Sequence, residues 1–89
     1  MEQPTKDDYK KILSEIIKKQ IIILGPQMAV LKAKNVKGLK VDDEGNVLDI
    51  TESEQIVLQQ LIDEYVALSG AIVKNAVSSI FEKYPSIQH

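Results

Sequence analysis

The residues that could carry chemistry are few, and the densest group is three consecutive acids at positions 42–44. Carboxylates in a turn followed by Gly45 are typical of a calcium-binding EF-hand loop, in which the glycine stands at the sixth position. That loop also needs acids at its first and last positions, which here are Lys40 and Thr51. We therefore interpret the segment as a solvated acidic turn, and only a weak divalent-cation site at the three acids stays open.

Groups suited to catalysis are equally sparse. With no cysteine and with His89 as its one histidine, this chain can build neither a thiolate nucleophile, nor a triad, nor a multi-histidine metal site. Asp63 and Glu64 are adjacent on a predicted helix and point apart, which is a poor geometry for acid–base catalysis. The segment 22–34 lacks the second glycine and the Lys-Ser/Thr pair of a P-loop. We predict a protein that is not an enzyme and has no catalytic, cofactor-binding or metal site.

All eleven basic residues are lysines, and four of them lie opposite a stripe of isoleucines. These four, which we call the lysine face, are Lys10, Lys11, Lys18 and Lys19. Such an amphipathic helix can bind an anionic membrane surface or the phosphates of a nucleic acid. The absence of arginine, the usual residue for bidentate phosphate and guanine recognition, argues against a sequence-specific DNA reader. A membrane surface or a nucleic acid is therefore the alternative partner that the sequence offers.

Charge is divided unevenly along the chain. Residues 1–40 hold nine lysines and four acids, whereas residues 41–89 hold two lysines and nine acids. The two parts carry net charges of +5 and −7, which give −2 for the chain. Because surface ion pairs are individually weak but together fix orientation, we expect the basic part to lie along the acidic part, within one chain or between two.

The lysine face belongs to a predicted helix that begins near Asp7. The carboxylates of Asp7 and Asp8 favour a helix start because they meet the positive end of the helix dipole. The apolar run at 21–24 would also suit a buried strand, but the helical stripe enters it in phase, which favours helix. Gly25 and Pro26 then predict a kink, after which the helix continues to position 35 or 38. The apolar stripe consists of Tyr9, Ile12, Leu13, Ile16, Ile17, Ile23 and Leu24.

The middle segment, residues 39–50, does not have the helical spacing of the segments on either side. Two short runs with branched apolar residues flank an acidic turn at Gly45 and Asn46, which predicts a β-hairpin. An extended loop is the alternative. Because two strands alone are marginal in water, a hairpin here must pack on the helices.

The second half of the chain predicts one long helix. Thr51 and Glu54 are spaced as a capping box, and an unbroken apolar stripe follows until a proline stops it. As a single helix, residues 52–84 would be about 50 Å long. A compact domain of this size has a radius of gyration of only roughly 12–13 Å. The helix should therefore overhang its own fold unless it bends near Gly70.

The stripe of this long helix is wider than the kinked first helix can cover, so some apolar surface should stay exposed. Exposed apolar patches of this kind usually mark an interface. We predict a homodimer with an isologous contact between the long helices. The predicted interface consists of Leu61, Tyr65, Leu68, Ile72, Ala76 and Ile80.

The predicted fold is therefore mainly α: a kinked N-terminal helix, a short β-hairpin or loop, and a long C-terminal helix, arranged as a dimeric helical bundle. We expect one domain over residues 1–89, with disordered ends at 1–6 and 86–89. Without a signal-peptide pattern or an apolar run long enough to cross a bilayer, the expected location is the cytoplasm. The expected function is a non-enzymatic dimerisation or protein-interaction module in a regulatory or scaffolding role.

Overall fold

The computed structural model describes residues 4–84, and helices account for 68% of them. The prediction of a mainly helical protein is confirmed. In chain order the elements are α1 (Lys6–Leu24), α2 (Pro26–Lys34), β1 (Leu39–Val41), β2 (Val47–Ile50), α3 (Glu54–Ser69) and α4 (Ala71–Phe81).

The first helix starts at a capping box that the sequence analysis did not identify. The Asp8 backbone N–H donates to Thr5 Oγ1 at 3.1 Å, and the Thr5 N–H donates to Asp8 Oδ2 at 3.0 Å. Two amides at the helix start are thereby satisfied. Of the residues 1–6 that were expected to be disordered, Thr5 is the N-cap of α1 and Lys6 is its first residue. Residues 1–3 and the expected disordered end at 86–89 lie outside the described residues.

The predicted kink is a complete break between two helices. Gly25 has a φ of +91°, and its N–H donates to the Ile21 carbonyl at 2.9 Å, which ends α1. Pro26 occupies the first turn of α2, where its lack of an N–H costs nothing. The apolar run at 21–24 is the last turn of α1, so the choice of helix over strand there is confirmed.

The middle segment is a β-hairpin, which decides between the two predicted alternatives. β1 and β2 pair antiparallel with Leu39 opposite Ile50, and the register shifts after Lys40. The hairpin packs on the helices, as two isolated strands must. Its contact with α1 includes the Val47 N–H, which donates to Ser14 Oγ at 3.0 Å.

The start of α3 differs from the prediction because the hairpin competes for the same backbone group. A capping box at Thr51 would need the Thr51 N–H to bond the Glu54 carboxylate. That N–H instead donates to the Gly38 carbonyl at 2.7 Å, which closes the base of the hairpin. The helix therefore begins at Glu54, with Ser53 as its N-cap and no side-chain capping bond.

The second half of the chain does not form the one long helix that was predicted, because it bends at Gly70, the alternative that the sequence left open. This glycine has a φ of +56° and a ψ of −117°, and it separates α3 from α4. A straight helix over residues 54–81 would be about 42 Å long. The longest dimension of the described chain is 36 Å, with a Cα radius of gyration of 11.8 Å. The bend lets α4 pack against α1 of the same chain.

The core is aliphatic and draws side chains from all four helices and both strands. Tyr65 is completely buried, and its hydroxyl donates to the Ala29 carbonyl at 2.6 Å, which ties α3 to α2. The buried polar side chain among residues 4–84 is Gln20, and neither atom of its amide has a hydrogen-bond partner in that part of the chain. No helix within residues 4–84 is both long enough and apolar enough to cross a membrane.

Candidate interaction surfaces

The six residues of the predicted interface fall into two groups. Leu61, Tyr65 and Ile80 are buried inside the chain, and Ala76 is half-buried. Leu68 and Ile72 are exposed, at 43% and 57% of their full surface. A partner that meets this conformation would therefore contact Leu68 and Ile72 but not the three buried residues.

Leu68 and Ile72 are exposed because they flank the bend at Gly70. Leu68 lies in the last turn of α3 and Ile72 in the first turn of α4. The bend turns the buried face of α4, which includes Val73 and Val77, into the core of the same chain. The side chains beside the bend are left on its outer surface.

A second group of exposed apolar side chains surrounds the other helix break. Ile22 is 79% exposed and Met28 is 42% exposed, on either side of Gly25. The hydrogen bond from Tyr65 to Ala29 joins the two hairpins of helices near both breaks. Farther along α2, Lys32 pairs with Glu64 on α3, and the chain after α2 pairs through Lys37 with Glu52, so the two helices run in opposite directions. Both breaks therefore lie at the same end of this helix pair. We call this surface the apolar end, and it consists of Ile22, Met28, Leu68 and Ile72.

Sequence reasoning did not include Ile22 and Met28, because it confined the predicted interface to the second half of the chain. A signal was available in the helical spacing. Ile22 stands one turn after Lys18, on the side of the lysine face, whereas the buried stripe passes through Ile17 and Gln20. A phase count through the run would therefore have placed Ile22 outside the core.

Three of the four predicted lysines line one concave surface. Lys10, Lys11 and Lys18 project from α1 around a recess of about 430 Å³, which Ser14, Glu15, Asn46, Val47 and Tyr84 also line. Lys19 is exposed but is not part of this lining. None of the four lysines forms a salt bridge with another residue in the range 4–84.

The single acid of this recess is already partnered. One oxygen of the Glu15 carboxylate accepts from the Tyr84 hydroxyl at 2.9 Å, and the other lies 3.5 Å from Lys83 Nζ. Burial, together with the hydrogen bond to Glu15, raises the pKa of Tyr84. Ser14 Oγ accepts from the Val47 N–H, so its own hydrogen can point into the recess. The recess is thus lined by three lysines and by one acid that is already partnered.

Four of the five remaining lysines of residues 1–40, all except Lys40, form salt bridges with acids of the second half, as the charge distribution predicted. Lys6 Nζ lies 2.9 Å from Asp49, and hydrogen bonding to that lysine lowers the pKa of the Asp49 carboxyl. Lys34 Nζ lies 2.6 Å from Asp43. Two longer pairs, Lys32 with Glu64 and Lys37 with Glu52, also join the two parts.

Asp42, the first residue of the acidic turn, has a structural role. Asp42 Oδ1 accepts from the backbone N–H groups of Glu44 and Asn46, both at 2.9 Å. The bonds from Asn46 are the main reason that the pKa of Asp42 is lowered. Since Asp43 turns to Lys34, the three acids do not converge, and the described residues contain no group of three acids or histidines able to hold a metal ion.

Two surfaces therefore stand out by their geometry, the apolar end and the lysine-lined recess. Both must be interpreted from their own chemistry. Comparisons with protein-family models, curated proteins and solved structures find no match for this chain.

Proposed function

We propose that this chain is a non-enzymatic protein-interaction module that forms a homodimer through its apolar end. The observation that carries the proposal is the exposure of Leu68 and Ile72 on the two sides of Gly70. Ile22 and Met28 are further exposed apolar side chains, on the two sides of the other helix break at Gly25. Removing such side chains from water favours association by roughly 25 cal/mol for each Å² of apolar surface buried.

A second copy of the chain suits this surface for two reasons. An isologous contact sets the same apolar side chains against each other, so no complementary charged partner is required. The chain has a net charge of only −2, so two copies repel each other weakly. The proposed dimer therefore needs no feature beyond the exposed apolar end.

The test compares two isoleucines with nearly equal exposure. Ile72→Glu places a charge in the proposed interface, whereas Ile56→Glu places one in the first turn of α3, near the opposite end of that helix. By light scattering and sedimentation velocity over a range of concentrations, we expect the wild type and Ile56→Glu to reach twice the chain mass of 10.0 kDa. We expect Ile72→Glu to raise the dissociation constant at least about tenfold.

Two results would contradict the proposal. A wild-type chain that stays at 10.0 kDa at the highest concentrations has no such interface. Equal weakening by both substitutions would place the contact elsewhere on the chain. Circular dichroism of each variant separates loss of the interface from loss of the fold.

The lysine-lined recess supports a second candidate function, the binding of a phosphate-bearing surface. The observation in its favour is that Lys10, Lys11 and Lys18 converge on one concavity without a salt bridge to any described residue. Phosphate contacts from lysines weaken as salt is added, because counterions compete for the phosphates. Binding to anionic vesicles or to duplex DNA should therefore be strong at low salt and weak at high salt.

The recess is tested by replacing its lysines with glutamine. The triple variant at positions 10, 11 and 18 should lose sedimentation with phosphatidylserine vesicles or the shift of duplex DNA, while Lys74→Gln, on α4, should keep it. Vesicle binding alone would identify a membrane surface, and DNA binding alone a nucleic acid. No binding to either probe at low salt would eliminate this function.

A further inference from the structure

The two helix breaks have the same local construction. At each break one glycine with positive φ donates its N–H to the carbonyl four residues earlier: Gly25 to Ile21 and Gly70 to Val66, both at 2.9 Å. Each glycine carbonyl then accepts from the residue four places later, at 3.1 Å. The helical bonding pattern thus resumes directly on both sides of a single bent residue.

The two breaks differ in the residue that follows. Pro26 has no N–H, and its ring would collide with the preceding turn, so α1 and α2 cannot merge into one helix. Gly70 is followed by Ala71, whose N–H could donate to the carbonyl of residue 67 in a continuous helix. A change of φ and ψ at Gly70 alone would therefore join α3 and α4.

On a straight helix through Gly70, the apolar residues before and after the glycine would lie on one continuous face. Leu68 and Ile72 are four residues apart, so on a continuous helix they lie on one face, one turn apart. In the bent conformation both side chains are exposed beside Gly70. Straightening would place them on the same side of the helix as Tyr65.

What holds the bent conformation is the packing of α4 on α1. The buried face of α4 consists of Val73, Val77, Ile80 and Phe81. Beyond its last turn, Tyr84 bonds Glu15 at 2.9 Å and Lys83 lies 3.5 Å from the same carboxylate. If α4 left this position, its apolar face and the vacated surface of α1 would both need an equivalent partner.

We infer that a second copy of the chain supplies that partner, and that the two copies exchange α4 by straightening at Gly70. This inference rests on the proposed function, since the partner is the same. Every contact between α4 and α1 forms again between the two chains. Those contacts therefore favour neither the bent monomer nor the exchanged dimer. The exchanged dimer adds the backbone hydrogen bonds across residue 70 and lets Leu68 and Ile72 of the two copies meet. An exchange of identical elements is a common route to dimers.

The first test uses Gly70→Ala with Gly25→Ala as a matched control. Alanine rarely adopts positive φ, so each substitution disfavours its bend, and a Cβ at either position would meet nothing within 4 Å. We expect Gly70→Ala to lower the dissociation constant of the dimer at least about tenfold, because the straight helix suits alanine. Gly25→Ala should lower thermal stability without promoting dimers, because Pro26 prevents a straight helix there.

The second test identifies the exchanged contact in the wild type and in Gly70→Ala. A carbodiimide, which joins an amine directly to a carboxylate, should link Lys83 to Glu15. Unlabelled and ¹⁵N-labelled chains are first unfolded together and refolded. Mass spectrometry of the cross-linked peptides then distinguishes links within one chain from links between two chains. Mixed-isotope Glu15–Lys83 peptides from the dimer fraction of either protein support the exchange, and their absence from both overturns it.

Failure of the exchange and failure of the proposed function give different results. A wild-type dimer keeps the proposed function, and it overturns the exchange when neither it nor Gly70→Ala contains a Glu15–Lys83 link between two chains. A monomeric wild type beside an exchanged Gly70→Ala dimer keeps the exchange and overturns self-association of the native chain.

Discussion

Gln20 is the residue whose surroundings fit its chemistry least. Its side chain is fully enclosed on the buried face of α1, and neither amide atom has a hydrogen-bond partner within residues 4–84. A buried polar group without a partner costs about 1–3 kcal/mol. Sequence reasoning did not place Gln20 in the core, because glutamine is usually exposed, although its spacing from Ile16 and Ile17 continues the stripe.

Replacing Gln20 by methionine should therefore stabilise the fold. Methionine has a similar length and no polar atoms to desolvate, so we expect the free energy of unfolding to rise by about 1–2 kcal/mol. Urea denaturation measures the change, and Gln55→Met, at an exposed position of α3, should be close to neutral. A loss of stability in Gln20→Met would show that the amide has a role in the native protein.

Tyr65 makes stability depend on pH at the alkaline end. Burial raises the pKa of its hydroxyl above the ordinary value of 10.0. Above about pH 10 the unfolded chain releases this proton while the folded chain retains it, so the free energy of unfolding falls as pH rises. We expect Tyr65→Phe to flatten that decline and, at neutral pH, to cost about 0.5–1.5 kcal/mol for the lost bond to Ala29. Parallel urea-derived pH curves for the two proteins would contradict this.

At the scale of the elements, two capping-box signatures in the sequence have different fates. Thr5 with Asp8 forms its box, whereas Thr51 with Glu54 does not, because the hairpin takes the Thr51 N–H. Local spacing is the same in both segments. The outcome depends on a strand pairing that brings Gly38 to Thr51, which helical periodicity does not encode.

The caps can be compared directly by mutation. Thr5→Ala removes the acceptor for the Asp8 N–H and should destabilise the protein by about 1 kcal/mol. Ser53→Ala should have almost no effect, because Ser53 makes no side-chain capping bond. Urea midpoints of the two variants measure the difference, and equal losses would mean that Ser53 also caps its helix.

The helices themselves were predictable, but the path of the second half was not. Apolar spacing placed α1, α2 and the residues of α3 and α4 correctly in helix, and Gly45 with Asn46 indicated the hairpin. The phase of the stripe is the same whether the helix continues or bends at Gly70. Bending is decided by how much of the α4 face can be buried on α1, which is a property of the assembled chain.

At the scale of the whole molecule, ion pairs connect the two halves of the chain but contribute little to the free energy of unfolding. Four of the five salt bridges among residues 4–84 join a lysine of the first half to an acid of the second. Exposed pairs of this kind typically contribute 0–1 kcal/mol each at most, and salt screens them.

The candidate surfaces were only partly predictable from the sequence. Periodicity found Leu68, Ile72 and the lysine face. Which apolar residues the bend leaves exposed depends on the tertiary fold, which periodicity does not encode.

Added salt should therefore change stability little. Raising sodium chloride from low to molar concentration should lower the free energy of unfolding by about 1 kcal/mol or less, because hydrophobic burial carries the fold. Urea denaturation at several salt concentrations measures this. A loss of several kcal/mol would mean that the ion pairs between the two halves act as a strongly coupled network.

The tip of the hairpin has a consequence for how this protein can evolve. Gly45 rests on α1, where an added Cβ would come within 2.9 Å of Ile21 Cδ1 and 3.0 Å of Ile17 Cγ2. Its neighbours Asp43 and Glu44 face the solvent. Mutation can therefore alter the charges of the tip freely, but an insertion there would lift the strands from the helix. In any homologue, this tip should keep its length and its glycine while the two preceding residues drift.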